Sequence, residues 1–216
     1  MIVFIVCMHM WGSKELRIRL EWTPGEWWRQ PWRMLTYGSV HASASHLALN
    51  ALVALAVGWQ LEREQGWWRL VAVWWGGVAA GALGAGVLQS QVHVVGASAA
   101  VYALLTAHLP NVFLRFGHIP LWWFRPLSVL VLGASEWCGA ILRAPSSNAM
   151  SGHDHIAWAA HALGALAGVP IAFLVFTGEN KSKKTIRICR MVSATALVAG
   201  VVVVVVHYVY YRESND

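Results

Sequence analysis

Apolar residues in this chain are concentrated in long blocks that are separated by short, more polar connections. Six blocks approach the roughly 20 residues that an α-helix needs to cross a bilayer. They cover residues 44–61, 67–89, 94–115, 126–142, 156–176 and 191–211. A seventh block, residues 2–11, is too short to cross and is interpreted as part of a first spanning helix. The pattern predicts an all-α fold, a polytopic membrane helix bundle.

The segment between the short block and the next one, residues 12–40, has a different character. It contains charged residues, a Pro24-Gly25 pair and four tryptophans, which are Trp22, Trp27, Trp28 and Trp32. Indole rings settle at the level of the lipid headgroups because they are apolar with one polar edge. We therefore expect an interfacial loop with a short amphipathic helix. An ordinary solvated linker is the alternative.

The overall composition supports a membrane protein. The 216 residues are 57% hydrophobic and 12% charged, whereas soluble domains carry about a quarter charged residues. The net charge of +6 comes from bases that flank the apolar blocks, so we expect no nucleic-acid partner. Cys7, Cys138 and Cys189 form no CxxC pair and indicate neither a zinc site nor a disulfide framework.

The distribution of bases predicts the orientation in the membrane. The connection 177–190 contains five bases, which are Lys181, Lys183, Lys184, Arg187 and Arg190. Connections rich in lysine and arginine stay in the cytoplasm, so the C-terminal tail, residues 212–216, is expected on the opposite side. Asn180 begins a glycosylation sequon, and a sugar on Asn180 would invert this topology.

Four polar side chains lie inside or at the ends of the apolar blocks, where they are costly and are therefore functional candidates. His46 and Asn50 are four residues apart and share one face of a helix. Ser98 lies where a loop with Gly96 meets the start of a helix, whose positive dipole end would face the hydroxyl. His161 lies in the block 156–176.

These residue types meet the needs of acyl transfer. A serine hydroxyl becomes nucleophilic when a histidine at hydrogen-bond distance accepts its proton. The Ser98 amide, His46 and Asn50 could stabilise the developing oxyanion. No acidic residue is spaced to orient His161, so the pair would be a dyad. Taken singly, however, Ser98 could be a helix cap and His161 a satisfied buried residue.

Several stretches resemble rhomboid intramembrane proteases, particularly the animal secretory-pathway branch. VVGASAAVYALLTAHLPNV (94–112) resembles the serine motif of that family, HASASHLALN (41–50) its HxxxxHxxxN string, and AAHALGALAG (159–168) its AHxxGxxxG string. Two shorter similarities are WRMLTY (32–37) and LERxxGxxR (61–69). The resemblance covers roughly residues 29–176, with the motifs in the order of the family.

The resemblance implies a role for each matching residue. Ser98 corresponds to the nucleophile and His161 to the general base, while His46 and Asn50 correspond to residues on the oxyanion side. Other matching residues support these four. Tyr102 matches a ring stacked on the base, and His41 is interpreted as structural. The remaining supporting positions are the glycines Gly96, Gly164 and Gly168.

The resemblance also implies an activity and a location. It predicts an intramembrane serine endopeptidase without metal or cofactor, which hydrolyses a peptide bond in or beside the transmembrane helix of a single-pass protein. The expected partners are such substrates and the lipid bilayer, in the Golgi, endosomal or plasma membrane. The implied fold is a six-helix rhomboid core plus one C-terminal transmembrane helix. Its domains are a partial first transmembrane helix (1–11), the interfacial loop (12–40), the rhomboid catalytic core (41–176), a basic cytoplasmic loop (177–190), a seventh transmembrane helix (191–211) and a tail (212–216).

One departure from the family pattern bears on activity. Ala99 stands where the family has glycine after the serine. In a helical conformation alanine is favourable, but at positive φ it would misshape the oxyanion pocket. Because both residues of the dyad are present, we hypothesise reduced but retained activity.

Other functional classes make different demands on the sequence. A non-catalytic rhomboid-like protein that binds and escorts membrane clients is the main alternative, and Ala99 is the residue that favours it. A channel or transporter would show internal repeats or broken helix pairs, which are absent from the sequence. A metalloprotease would need HExxH, also absent, and His153-Asp154-His155 is interpreted as part of a polar lumenal loop.

Overall fold

The computed structural model describes residues 2–23, 29–89, 92–143, 157–179 and 182–213. The helices in these ranges are α1 (Ile2–Trp11), α2 (Lys14–Leu20), α3 (Arg33–Thr36), α4 (Ala44–Gln65), α5 (Trp67–Leu88), α6 (Ser98–Leu114), α7 (Phe124–Arg143), α8 (Trp158–Val175) and α9 (Lys183–Glu213), with a 3₁₀ turn at Tyr37–Ser39. The predicted all-α fold is confirmed.

The middle of the bundle is formed by α5, α6 and α8, which pack against one another more extensively than any other described elements. Thirteen of the 17 residues of α6 are buried. α4 packs on α6 and α5, α7 packs on α6, and α9 packs on α8 and α5. Other helices therefore enclose α6 along most of its length.

All six apolar blocks form helices, but they differ in how well they would cross a membrane. α4, α5, α8 and Lys183–Tyr210 of α9 have the length and composition of membrane spans. α6 and the stretch Phe124–Ala134 of α7 are apolar but shorter. α1 is a helix of 10 residues, about 15 Å long at 1.5 Å per residue.

Three helices have ends that differ from the ends of the apolar blocks, each for a local reason. α4 continues four residues beyond the block 44–61, through polar positions, and ends at Gly66, whose φ of 85° stops the helix. α6 begins only at Ser98 because Gly96 has a φ of 110°. Much of the basic connection 177–190 is helical, since α9 begins at Lys183 and Ser182 Oγ accepts a hydrogen bond from the Thr185 amide at 3.1 Å.

The segment 12–40 is tied to the loop that leads to Ser98. α2 is a short helix in this segment, as expected, whereas its location at the bilayer surface stays a prediction. Trp22 is fully buried and forms an antiparallel bridge with Val94, with two backbone hydrogen bonds of 3.0 Å. Trp27, Trp28, His153-Asp154-His155 and Asn180 lie outside the described residues.

Candidate active site

Ser98 and His161 are in direct contact, although 63 residues separate them in the sequence. Ser98 is the first residue of α6, and its Oγ lies 2.8 Å from Nε2 of His161 in the first turn of α8. The ring of Tyr102, one turn after Ser98, lies 5.0 Å from the imidazole of His161 with an angle of 31° between the ring planes. The serine, the histidine and the tyrosine are all half-buried.

The turn before Ser98 is fixed by its own backbone. Gly96 has φ of 110°, a conformation that residues with a Cβ rarely adopt. The Gly96 amide donates a hydrogen bond to the carbonyl of Tyr37 at 3.2 Å, and the hydroxyl of Tyr37 donates to the carbonyl of Val78 in α5 at 2.7 Å. The backbone turn therefore has a buried attachment to two other elements.

His41 holds the same turn from the other side. Its Nε2 accepts a hydrogen bond from the Ala97 amide at 3.3 Å, and its side chain is almost completely buried. Burial, together with repulsion from His46 and His9, lowers the pKa of His41 to about 4. The imidazole is therefore neutral at physiological pH and can accept this hydrogen bond.

His46 and Asn50 lie on the side of α4 that faces this turn. Ser43 caps α4 by accepting a hydrogen bond from the His46 amide at 3.1 Å. The His46 ring lies against Gly96, since a Cβ on that glycine would come within 2.7 Å of Cε1. The Asn50 side chain donates to the His46 carbonyl at 3.1 Å, so here its amide is turned along its own helix. His46 thus borders the serine turn, and Asn50 lies one helical turn further away.

The backbone amides at the start of α6 are the other available donors. The first amides of any helix lack partners within that helix, and they carry the positive end of its dipole. In α6 these amides belong to Ser98 and the residues that follow it. An anion that forms beside Ser98 Oγ would therefore meet donors that are already oriented.

Glycines on both neighbours allow α6 to approach them closely. A Cβ on Gly164 of α8 would collide with the backbone of Ala99, and one on Gly168 with the backbone of Ala103. On the other side, a Cβ on Gly81 of α5 would come within 2.5 Å of the Ala99 methyl group. The approach of α8 to α6 brings His161 within reach of Ser98.

Ala99 has an ordinary helical backbone. It is the second residue of α6 and is 1% exposed. Leu121 is the one residue other than glycine with positive φ in the described ranges. Alanine therefore causes no backbone strain at this position. The positive φ that would misshape the oxyanion pocket does not occur at Ala99.

A polar cluster at the opposite end of the bundle was not anticipated from the sequence. Arg125, at the start of α7, makes two hydrogen bonds of 2.5 and 2.8 Å to the carboxylate of Glu64 in α4. Asn111 of α6 donates to the same carboxylate at 2.5 Å, and Gln65 donates to Asn111 at 2.8 Å. The sequence shows these polar residues at the ends of apolar blocks, but their spacing does not indicate that they contact one another.

Comparisons with known proteins agree with this architecture. A family model described as the Rhomboid domain matches residues 28–178. Rhomboid-related protein 1 of Caenorhabditis elegans is 32% identical over 186 residues, which are 85% of this chain and 51% of that protein. Rhomboid-related protein 3 of Homo sapiens is 33% identical over 148 residues, 68% of this chain and 37% of that protein.

A relative with a different name is also similar. Inactive rhomboid-related protein 2 of Caenorhabditis elegans is 25% identical over 155 residues, 70% of this chain and 42% of that protein. The chain thus spans about half, or less, of the length of these relatives. Because the domain model covers most of the chain and its glycine-packed helices, this chain belongs to the rhomboid family.

Proposed function

We propose that the protein is an intramembrane serine endopeptidase that uses Ser98 and His161 as a catalytic dyad. The observation that carries the proposal is the 2.8 Å distance between Ser98 Oγ and His161 Nε2. A histidine in contact with a serine is the arrangement that activates a hydroxyl nucleophile. Membership of the rhomboid family supports the same chemistry, because the family includes serine proteases.

The proposed reaction has two halves. The hydroxyl of Ser98 donates its proton to Nε2 of His161 while Oγ attacks the carbonyl carbon of the substrate, and the histidine then protonates the leaving amine. The first amides of α6 and the side chain of His46 stabilise the oxyanion, with Asn50 as a further donor if its amide rotates. His161 then takes a proton from a water molecule, whose oxygen attacks the acyl carbon. The bond from the acyl carbon to Oγ breaks, and His161 returns the proton to Oγ. Tyr102 keeps the imidazole in place during both steps.

The proposed substrates are single-pass membrane proteins. α8, which carries His161, and the neighbouring α4 and α5 are long and apolar enough to cross a membrane. This supports access of a polypeptide from within or beside the bilayer. In a helix, each carbonyl is bonded to the amide four residues on. A substrate helix must therefore unwind locally before Ser98 can attack.

Labelling with a fluorophosphonate tests the nucleophile without knowledge of the substrate. The wild-type protein should be labelled at Ser98, and Ser98→Ala should not be labelled. His161→Ala should react about 10²- to 10⁴-fold more slowly, the usual contribution of a general base. Equal labelling of wild type and Ser98→Ala would refute the proposed nucleophile.

Cleavage of tagged single-pass proteins tests the substrate class. Co-expression with wild type should release a product that Ser98→Ala does not release. The alternative, a non-catalytic protein that binds and escorts membrane clients, is favoured by the similarity to a relative named inactive. It predicts no labelling, no product, and equal recovery of clients with wild type and Ser98→Ala.

A further inference from the structure

A groove of about 590 Å³ lies between the end of α8 and the start of α9, at the opposite end of α8 from His161. Its charged lining consists of Lys183, Arg187 and Arg190, all on α9. Its apolar lining includes Leu174, Ile186, Met191 and Ala194. One part of the groove is therefore cationic, and the other part is apolar.

The cations of the groove lack acidic partners within the described part of the chain. No acidic residue is among those that line the groove. Glu179, close by in sequence, is paired with Arg115 at 2.7 Å. Arg190 is held across the groove, since its guanidinium donates to the carbonyl of Phe176 at 3.4 Å. The groove thus concentrates three uncompensated positive charges.

The three cations share one face of the helix. They lie at intervals of four and three residues, which places them above one another on an α-helix. From Lys183 to Arg190 the helix rises about 10 Å, enough to contact more than one phosphate group. This alignment exists because α9 begins at Lys183 and includes most of the basic connection.

The position of the groove fits the boundary between headgroups and acyl chains. The cations precede Met191, where the apolar part of α9 begins, and Met191 and Val192 are exposed. The positive-inside rule places this end of α9 at the cytoplasmic leaflet. Basic pockets between transmembrane helices on that side are suited to phosphorylated lipid headgroups.

We propose that this groove binds an anionic phospholipid whose headgroup carries a phosphate monoester, with its acyl chains against the apolar residues of α8 and α9. A phosphate monoester carries nearly two negative charges at neutral pH, and arginine binds it through two parallel hydrogen bonds. A zwitterionic headgroup would leave the three cations uncompensated. The site is separate from the dyad and does not depend on catalysis.

Adjacent lysines provide a matched test. Lys183 lines the groove, whereas Lys184 is exposed and does not line it. Purified Ser98→Ala protein in detergent would be titrated with phosphatidylinositol bisphosphate, phosphatidylserine and phosphatidylcholine, with bound lipid counted by native mass spectrometry. We expect phosphatidylinositol bisphosphate to bind most tightly. Lys183→Gln should weaken its binding about 5-fold, and Lys183→Gln with Arg187→Gln about 25-fold, whereas Lys184→Gln should change it less than about 2-fold.

Two further measurements separate a lipid from a soluble phosphate. Ala194→Phe fills the apolar end of the groove and should weaken lipid binding without removing charge. Free inositol trisphosphate should compete only weakly because it has no acyl chains. Equal effects of Lys183→Gln and Lys184→Gln, equal binding of phosphatidylcholine, or full competition by inositol trisphosphate would each overturn the proposal. Unfolding temperatures measured without lipid show whether a variant has simply lost its fold.

Discussion

At the scale of single residues, the conformation of Ala99 determines the effect of having alanine where the family has glycine after the serine. Ala99 is helical and buried, and its methyl group faces Gly81. Ala99→Gly should therefore leave the rate of fluorophosphonate labelling within about 3-fold of wild type. It should lower the free energy of unfolding by about 1 kcal/mol, because glycine is less favourable in a helix. Ala100→Gly, next in the same helix, is the control for stability, and a tenfold gain in rate specific to Ala99→Gly would contradict this account.

Gly96 is a residue at which a methyl group should be harmful to the site. Its φ of 110° disfavours any Cβ, and the added atom would lie 2.7 Å from the His46 ring. Gly96→Ala should slow labelling of Ser98 by at least about 10²-fold, comparable to the loss of an oxyanion donor. Gly133→Ala in α7 is the matched control, since a Cβ there has no neighbour within 4 Å. Comparable labelling of these two variants would show that the Gly96 turn does not position Ser98.

At the scale of helices, the packing of α6 against α8 brings Ser98 and His161 into contact. Gly164→Ala would place a methyl group against the backbone of Ala99 and push α8 away from α6. We expect a loss of about 1–3 kcal/mol in stability, as for other overpacked sites, together with slower labelling of Ser98. Gly200→Ala in α9 adds a methyl group in open space and should alter neither quantity by a comparable amount. Labelling and unfolding temperature would be measured on both variants in the same detergent.

The sequence predicts the helices better than their ends or their neighbours. Each long apolar block forms a helix because a buried or lipid-facing backbone must satisfy its own hydrogen bonds. Hydropathy does not detect where a helix continues through polar residues, as α4 does to Gln65 and α9 does from Lys183. The contact between Ser98 and His161 depends on the packing of α6 against α8, which spacing within one helix cannot reveal. Motif resemblance named the residues of that contact, and only the three-dimensional arrangement supplied their distance.

At the scale of the whole molecule, the polar cluster around Glu64 links the helices at the end of the bundle away from the dyad. The carboxylate of Glu64 binds Arg125 at the start of α7 and Asn111 near the end of α6. The Arg125 side chain is 8% exposed and that of Glu64 is 21% exposed. Removing the carboxylate therefore leaves a nearly buried guanidinium without its counter-ion. Such a loss is more damaging than the loss of a surface ion pair.

Glu64→Gln should lower the free energy of unfolding by about 3 kcal/mol, the lower end of the range for a buried pair that loses one partner. Glu62→Gln, an exposed position on the same turn of α4, is the matched control and should change stability by less than about 0.5 kcal/mol. In Glu64→Gln with Arg125→Gln, the unpaired charge is gone, so the double variant should be less destabilised than the sum of the single variants. Additive effects would show that the ion pair does not link α7 to α4.

Labelling of Ser98 well below the unfolding temperature should stay close to wild type in Glu64→Gln, because Ser98 lies in the first turn of α6, which is about 25 Å long. This result would separate the stability of the bundle from the chemistry proposed for Ser98 and His161.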